Sequence, residues 1–276
     1  LTLHLLDHGV ATVAASAFGG RDGFRISFAA EEGVLDKALQ ENRAFNRWYH
    51  TNTRAHKRDG YRSVTLTLKK TGRIPGDVSD EQLEAIADLA DRYSFGELRN
   101  THQQNMVLSD VATDDLFELW EKLDALGMAT PNLGLLTDIV ACPGGDLCAL
   151  ANAKSVPVAE GIQRRFDDMD YVHDLGPLDI NISGCMNACG HHHIGHIGIL
   201  GVDKKGKEFY QITLGGRGDK LSRIGEKMGP SFESYEVTDV IEKIINVYVD
   251  KRLENEPFID TYERIGMEPF KEHVYG

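Results

Sequence analysis

The chain has 276 residues, 41% hydrophobic and 26% charged, with 43 acidic against 30 basic side chains and a net charge of −13. Such an excess of carboxylates argues against binding nucleic acid or an anionic membrane, because neutralising phosphates takes lysine and arginine in excess. The longest apolar runs, 133–140 and 197–202, are strand-length rather than membrane-spanning, and residues 1–10 lack the basic start and cleavage site of a secretory leader, so a cytoplasmic protein is expected.

In chain order, 9–15 reads as a strand, 18–22 as a glycine-rich turn, 24–29 as a second strand and 31–42 as a helix. A basic stretch, 47–58, follows. Residues 61–68 alternate Val64, Leu66 and Leu68 with polar side chains, the pattern of a half-buried strand. Ser79 with Gln82 three residues on forms a capping box that opens a helix through Tyr93. Residues 97–108 read as another strand, and an amphipathic helix starting at Thr113 ends at Gly127. This succession predicts an α+β protein, with a ferredoxin-like α/β sandwich over 45–135. Strands at 194–201 and 208–214 and an apolar helix at 237–248 belong to a second unit, 136–276.

Four cysteines fall in two pairs, Cys142-x5-Cys148 and Cys185-x3-Cys189, both in glycine-bearing loops. Paired spacings in a cytosolic-looking chain suggest metal binding or redox chemistry. A cluster held by four thiolates carries negative charge, and glycines let backbone N–H groups approach its sulfurs. Residues 149–154 read as helix-forming, which would aim a helix N-terminus at such a cluster. Three alternatives stand beside the iron–sulfur site: structural zinc, which the x5 spacing fits poorly; two disulfides; and four unrelated buried thiols.

The blocks Thr137-Asp138-Ile139, Cys142-Pro143-Gly144-Gly145, Cys148 through Ser155, and Asn181-Ile182-Ser183-Gly184-Cys185-Met186-Asn187-Ala188-Cys189-Gly190 resemble the C-terminal half of the sulfite/nitrite reductase haemoproteins. Upstream, His56-Lys57, Gly60-Tyr61, Pro75-Gly76-Asp77 and Arg99-Asn100-Thr101-His102-Gln103-Gln104-Asn105 extend the resemblance, which covers about 45–276. It implies a sulfite/nitrite reductase [4Fe–4S]/sirohaem-type α+β domain over 136–276. Cys142, Cys148, Cys185 and Cys189 would ligate the [4Fe–4S] cluster, Cys189 would bridge to the sirohaem iron, and Asn187 would contact the cofactors. The implied reaction is six-electron reduction of sulfite to sulfide or nitrite to ammonia, with a small anion as substrate and ferredoxin or a flavoprotein reductase as electron donor. The family is built from two homologous halves. The first, which supplies most of the basic residues around the anion, has no counterpart here, so a non-catalytic iron–sulfur electron-transfer fragment is the competing expectation. Met186 stands where proline is common, a change expected to be tolerated.

Residues 1–43 resemble something else. Gly9 through Val13, Ser16 through Gly19 and Gly23 through Ala29 are similar to the C-terminal end of pyridoxal-phosphate aminotransferases, where the arginine matching Arg25 grips a substrate carboxylate. The Schiff-base lysine has no counterpart, and the segment is expected to be a fusion or gene-model remnant.

His191, His192, His193 and His196 could relay protons, bind metal, or form a solvated loop with one packed ring. Arg54, Lys57 and Arg99 could line an anion pocket or be surface charge. Gly195, Gly198 and Gly201 lack the spacing of a dinucleotide fingerprint and read as strand and turn glycines.

Overall fold

The computed structural model describes residues 11–14, 24–27 and 34–276, with side chains from residue 35 onward. Strands β1 (Ala11–Ala14) and β2 (Phe24–Ser27) pair antiparallel, with Ala11 opposite Ser27. The Arg25 side chain and the residues linking the two strands, on which the aminotransferase resemblance rests, lie outside the described residues.

Two helices follow, α1 (Val34–Glu41) and α2 (Arg43–Asn52), and the Asn42 side chain caps the second by accepting from the Phe45 N–H at 3.0 Å. Strands β3 (Thr53–Ala55), β4 (Tyr61–Leu66), β5 (Arg99–Asn100) and β6 (Met106–Ala112) form an antiparallel sheet in the order β3-β4-β6-β5. Helices α3 (Asp80–Tyr93) and α4 (Leu116–Ala125) pack with it and with Phe45 and Trp48 into one core that includes Val64, Leu66, Ile86, Leu108 and Leu119. The Ser79–Gln82 capping box forms in both directions. The single strand expected over 97–108 is instead a tight hairpin. The Gln104 N–H bonds back to the Thr101 carbonyl at 3.2 Å with Gln104 at φ +55°, so the chain reverses between Asn100 and Met106.

The second sheet runs β11 (Glu226–Lys227), β10 (Lys207–Leu214), β9 (Ile197–Lys204), β8 (Ile180–Ser183), β7 (Val140–Ala141), with β12 (Phe232–Glu233) also on β10. Strands β7, β8 and β9 are parallel, and β9 returns antiparallel into β10. The crossover from β7 to β8 carries helices α5 (Val156–Arg165) and α6 (Met169–Leu175), as a parallel connection requires. All four β8 residues are buried, the condition of a parallel strand covered on both faces. Helices α7 (Val237–Lys251), α8 (Phe258–Ile265) and α9 (Glu268–Tyr275) complete a core around Ile182, Ile199, Ile241, Ile245 and Phe270.

Residues 149–154 are not a helix; α5 begins only at Val156. Their backbone is committed elsewhere: the N–H groups of Asn152 and Ala153 both donate to the Gly184 carbonyl, at 2.9 and 3.0 Å. Cross-loop hydrogen bonds replace the local i→i−4 ladder, and no helix N-terminus stands immediately after Cys148. Among the described residues no helix is long and apolar enough to cross a membrane.

Candidate functional site

The two cysteine pairs meet because they leave adjacent parallel strands at the same end. Val140 pairs with Asn181 and Ala141 with Ile182, so Cys142 leaves β7 beside Ser183, two residues before Cys185. Open parallel sheets place their binding residues at these carboxyl ends, where loops from neighbouring strands converge.

The loops interlock through hydrogen bonds and glycines. The Gly184 N–H points at Cys142 Sγ, 3.1 Å away, and the Ser155 hydroxyl lies 3.4 Å from the same sulfur. The Gly145 N–H donates to the Ala153 carbonyl at 2.9 Å, closing the first loop against the segment that also binds Gly184. A Cβ on Gly184 would sit 2.6 Å from the Ala153 carbonyl oxygen, and one on Gly190 only 1.9 Å from that of Ile182. Glycine is therefore a steric requirement at both positions. Around Cys189 the backbone is strained: Ala188 and His191 have φ of +56° and +55°, a region that non-glycine residues seldom occupy.

Cys142 and Cys185 are buried, Cys148 is half-buried, Cys189 is exposed, and all four are unbonded thiols. Asn187, between the last two, is exposed, as are Leu147, Leu150 and Met186. With 81% of its surface open, Met186 packs too little for its identity to govern the loop. Among the described residues no three His, Cys, Asp or Glu side chains converge as around a single metal ion. An iron–sulfur cubane makes a different demand, because its own irons and sulfides occupy the space between four thiolates. Four free thiols at the ends of two interlocked loops, one already receiving a backbone N–H, have the donor chemistry and surroundings such a cluster needs.

Beside these loops lies a cleft of about 480 Å³, lined by His102 and Gln103 from the β5–β6 turn and by Asp138, Asp179, Asn181 and His196, among others, from the second unit. Asn181 ties the cleft to the Cys189 turn, its Nδ2 donating to the carbonyls of Gly190 at 3.0 Å and His191 at 3.2 Å. Asp138 forms the floor of a buried polar junction. Its Oδ1 accepts from Lys69 Nζ at 3.1 Å and Asn105 Nδ2 at 3.0 Å, and its Oδ2 from the Gly134 N–H at 2.9 Å. Burial pulls the Lys69 ammonium below its ordinary range, and the Asp138 charge opposes that. Gln104 spans the two units: its amide donates to the Ala141 carbonyl at 2.8 Å and accepts the Ala141 N–H at 3.0 Å, pairing the free edge of β7 one residue before Cys142.

Lys69 and Asp179 escaped the sequence reading as site residues. Gln104 and Asp138 stood within blocks that carried the family resemblance, which was the available signal, but nothing in one sequence shows what they bind.

The basic residues suggested for an anion pocket do not line this cleft. Arg54 is exposed and donates to the Thr51 and Thr53 carbonyls, Lys57 is exposed, and Arg99 pairs with Glu97 at 2.8 Å. Arg54 and Arg99 stand on the two edge strands of the first sheet, β3 and β5, and Lys57 in the turn after β3. The histidines separate as well. His191 and His193 are exposed, whereas His192 is buried; burial, then the neighbouring His193, push it down to about 4. His196 reaches the cleft wall.

Residues 135–276 match the nitrite and sulphite reductase 4Fe-4S domain family, and residues 55–126 match the nitrite/sulfite reductase ferredoxin-like half domain. Similar curated proteins include sulfite reductase [ferredoxin] 2 of Mycolicibacterium paratuberculosis, 33% identical over 195 residues, covering 67% of this chain and 35% of that protein. The chloroplastic ferredoxin–nitrite reductase of Arabidopsis thaliana is 27% identical over 241 residues, covering 82% of this chain and 39% of its own length. The chain thus spans somewhat more than a third of the length of these relatives. Among solved structures, the Mycobacterium tuberculosis NirA protein superimposes with a TM-score of 0.64 at 29% identity, over 80% of this chain and 41% of that one. A dissimilatory sulfite reductase I shares the fold at 16% identity, with a TM-score of 0.63 over 78% of this chain and 69% of its own. With its cysteine-bearing half matched from Leu135 to the last residue, the chain belongs to the nitrite and sulphite reductase 4Fe-4S domain family.

Proposed function

We propose that this chain is the cofactor-binding part of an enzyme that reduces sulfite or nitrite by six electrons, and that Cys142, Cys148, Cys185 and Cys189 hold its [4Fe–4S] cluster. In this reading Cys189, the exposed member at the strained turn, is shared with the iron of a sirohaem, and Asn187 faces the cofactors. The observation that carries the proposal is the convergence of the two cysteine loops at the ends of β7 and β8, beside a cleft tied to the Cys189 turn through Asn181. When bound, the coupled cofactors would supply electrons to the sulfur or nitrogen of the anion.

The chain's own residues have defined tasks. Gly184 presents its N–H to a thiolate, which stabilises negative charge on sulfur. Asp138, Lys69 and Gln104 fix the cleft wall and the β7 edge against the first sheet. Four free thiols suit a reducing, cytoplasmic compartment, and the names of the relatives point to ferredoxin as electron donor.

Among the described residues, the cleft lining contains no lysine or arginine. That favours a division of labour in which a further segment or chain supplies the cations for the substrate, and it sustains the second reading, an iron–sulfur fragment inactive by itself. Anaerobic purification after co-expression with sirohaem synthesis, with iron and sulfide analysis, a visible spectrum and dye-linked turnover, separates the two. Cluster iron, sulfide and a haem band with turnover establish the reductase; iron and sulfide alone indicate the fragment; zinc, or no metal, overturns both.

A further inference from the structure

We propose that the cleft between the two units is a docking site for an arginine of a further polypeptide segment, whose guanidinium is received by Asp179 and Asn181. This rests on the reading above that a further segment or chain completes the enzyme.

The cleft is built to attract a cation. Val140 pairs with Asn181 and Ile180 with Ile197, so Asp138, Asp179 and His196 stand in a row just before β7, β8 and β9. Residues two apart on a strand share a face. Asp179 and Asn181 accordingly both line the cleft, while Ile180 and Ile182 are buried in the core behind them.

Three carboxylates line the cleft, and they differ in their partners. Asp138 is held by Lys69 and Asp219 by Arg217, with an Arg217 Nε to Asp219 Oδ1 distance of 3.2 Å. Asp179 alone of the three has no lysine or arginine partner among the described residues. Its neighbour His196 does not neutralise it. The Asp179 N–H donates to His196 Nδ1 at 3.1 Å, which fixes that nitrogen as an acceptor and keeps the ring uncharged. Burial raises the Asp179 carboxyl, and the charges of Asp138 and Asp219 raise it further. The side chain keeps 53% of its surface open, so water moderates that rise and a ligand can reach it.

Two enclosed acceptors stand open in the same cleft. Asn181 is only 9% exposed, and its Nδ2 is committed to the Gly190 and His191 carbonyls, but its Oδ1 has no donor among the described residues. Thr65, equally enclosed, lines the cleft from the first unit, and its hydroxyl makes no hydrogen bond among the described residues. A carboxylate beside unfilled acceptors calls for a cation carrying several N–H groups in a fixed fork, which is a guanidinium.

The rim indicates that a polypeptide brings it. Ile194 lines the cleft and is partly exposed. Leu221 and Ile224, both exposed, belong to a hairpin closed by reciprocal backbone bonds between Arg217 and Arg223, and that hairpin supplies Gly218 and Asp219 to the cleft wall. Its arginines are already matched, Arg217 by Asp219 and Glu263 and Arg223 by Glu263. Apolar side chains around a charged centre are the anatomy of a protein interface, where arginine is a frequent anchor. The relatives above carry most of their length beyond the part matched here, so such a segment has a source.

The test uses the 276-residue chain and three probes. These are N-acetyl-arginine amide, its citrulline analogue, which keeps the shape and loses the charge, and N-acetyl-leucyl-arginyl-leucine amide. Binding is read from the backbone amide resonances of Asp179, Asn181 and His196. Arginine amide should shift them saturably, and the citrulline analogue should bind at least about tenfold more weakly, as should arginine amide to Asp179→Asn. The leucine-flanked peptide should bind about tenfold more tightly than the bare amide, a gain that Leu221→Ser with Ile224→Ser removes. The citrulline comparison is made on the wild type, so it decides even where a variant fails to fold. No saturable shift, equal binding of citrulline, or unchanged affinity in a folded Asp179→Asn overturns the proposal. Equal affinity of peptide and bare amide overturns it too, since the site would then take a free cation. Iron and haem enter none of these readouts. A chain without cluster sinks the function above while this binding stands, and absent binding to a cluster-loaded chain sinks only the docking site.

Discussion

Lys69 Nζ lies 3.1 Å from Asp138 Oδ1, with the lysine side chain fully buried and the aspartate nearly so, and this pair joins the two units of the molecule where the cleft begins. Lys69 also donates to the Gln103 carbonyl at 2.7 Å, so one ammonium holds the β5–β6 turn and the approach to β7 together. Two charges are tolerated here because each is met by several partners.

Removing one charge strands the other. Lys69→Met is expected to cost about 3–5 kcal/mol, because Asp138 would remain ionised, enclosed and short of its cation. Lys69→Met with Asp138→Asn should cost less than the sum of the two single changes. Denaturant unfolding of the four proteins measures both; additive losses would mean that the pair is not coupled.

Gln104 closes the edge of β7 with two hydrogen bonds to Ala141. Gln104→Ala leaves a buried carbonyl and N–H unpaired, a loss of about 1–3 kcal/mol. Because Cys142 follows directly, iron retention per chain should fall with stability. Unchanged iron content at lowered stability would show that the edge contact supports the fold but not the cysteine loop.

A methyl group at Gly190 has nowhere to go, with the Ile182 carbonyl oxygen 1.9 Å from its Cβ position, whereas one at Gly145 meets its nearest neighbour at an ordinary 3.5 Å. Gly190→Ala should therefore destabilise by about 3 kcal/mol, and Gly145→Ala by far less. Thermal unfolding of the pair decides it, and equal midpoints would contradict the close approach seen at Gly190.

His192 links stability to acid. In the fold it sits at about 4, against an ordinary 6.5, so below about pH 6.5 the unfolded chain binds a proton that the folded chain refuses. The stability this ring contributes is present above pH 6.5 and is lost as pH falls towards 4, up to about 3 kcal/mol. Its Nδ1 has no hydrogen-bond partner among the described residues, so His192→Leu loses little at neutral pH. Comparing urea midpoints at pH 7 and 4.5 should show a smaller acid loss in the variant than in the parent.

Local chemistry was legible from the residues alone. The Ser79–Gln82 capping box and the glycines beside the cysteines each act within a few positions, through backbone geometry. The alternation of Val64, Leu66 and Leu68 predicts a half-buried strand, but Thr65, Thr67 and Lys69 are buried as well, because that face meets Asn52, Thr130 and Asp138 from distant parts of the chain. The reversal at Gln104 was not legible, because its positive φ comes with contacts that Thr101 and Asn105 make across the turn. Residues 149–154 misled for the converse reason: their helical propensity is real but weak, and bonds to Gly184, far along the chain, outweigh it. Sequence by itself determined which thiols and glycines the molecule possesses and how they are spaced. Only the tertiary structure decided that the parallel register of β7, β8 and β9 sets Cys142 near Cys185 and Asp179 beside His196, because strand pairing joins residues whose separation along the chain carries no local signal.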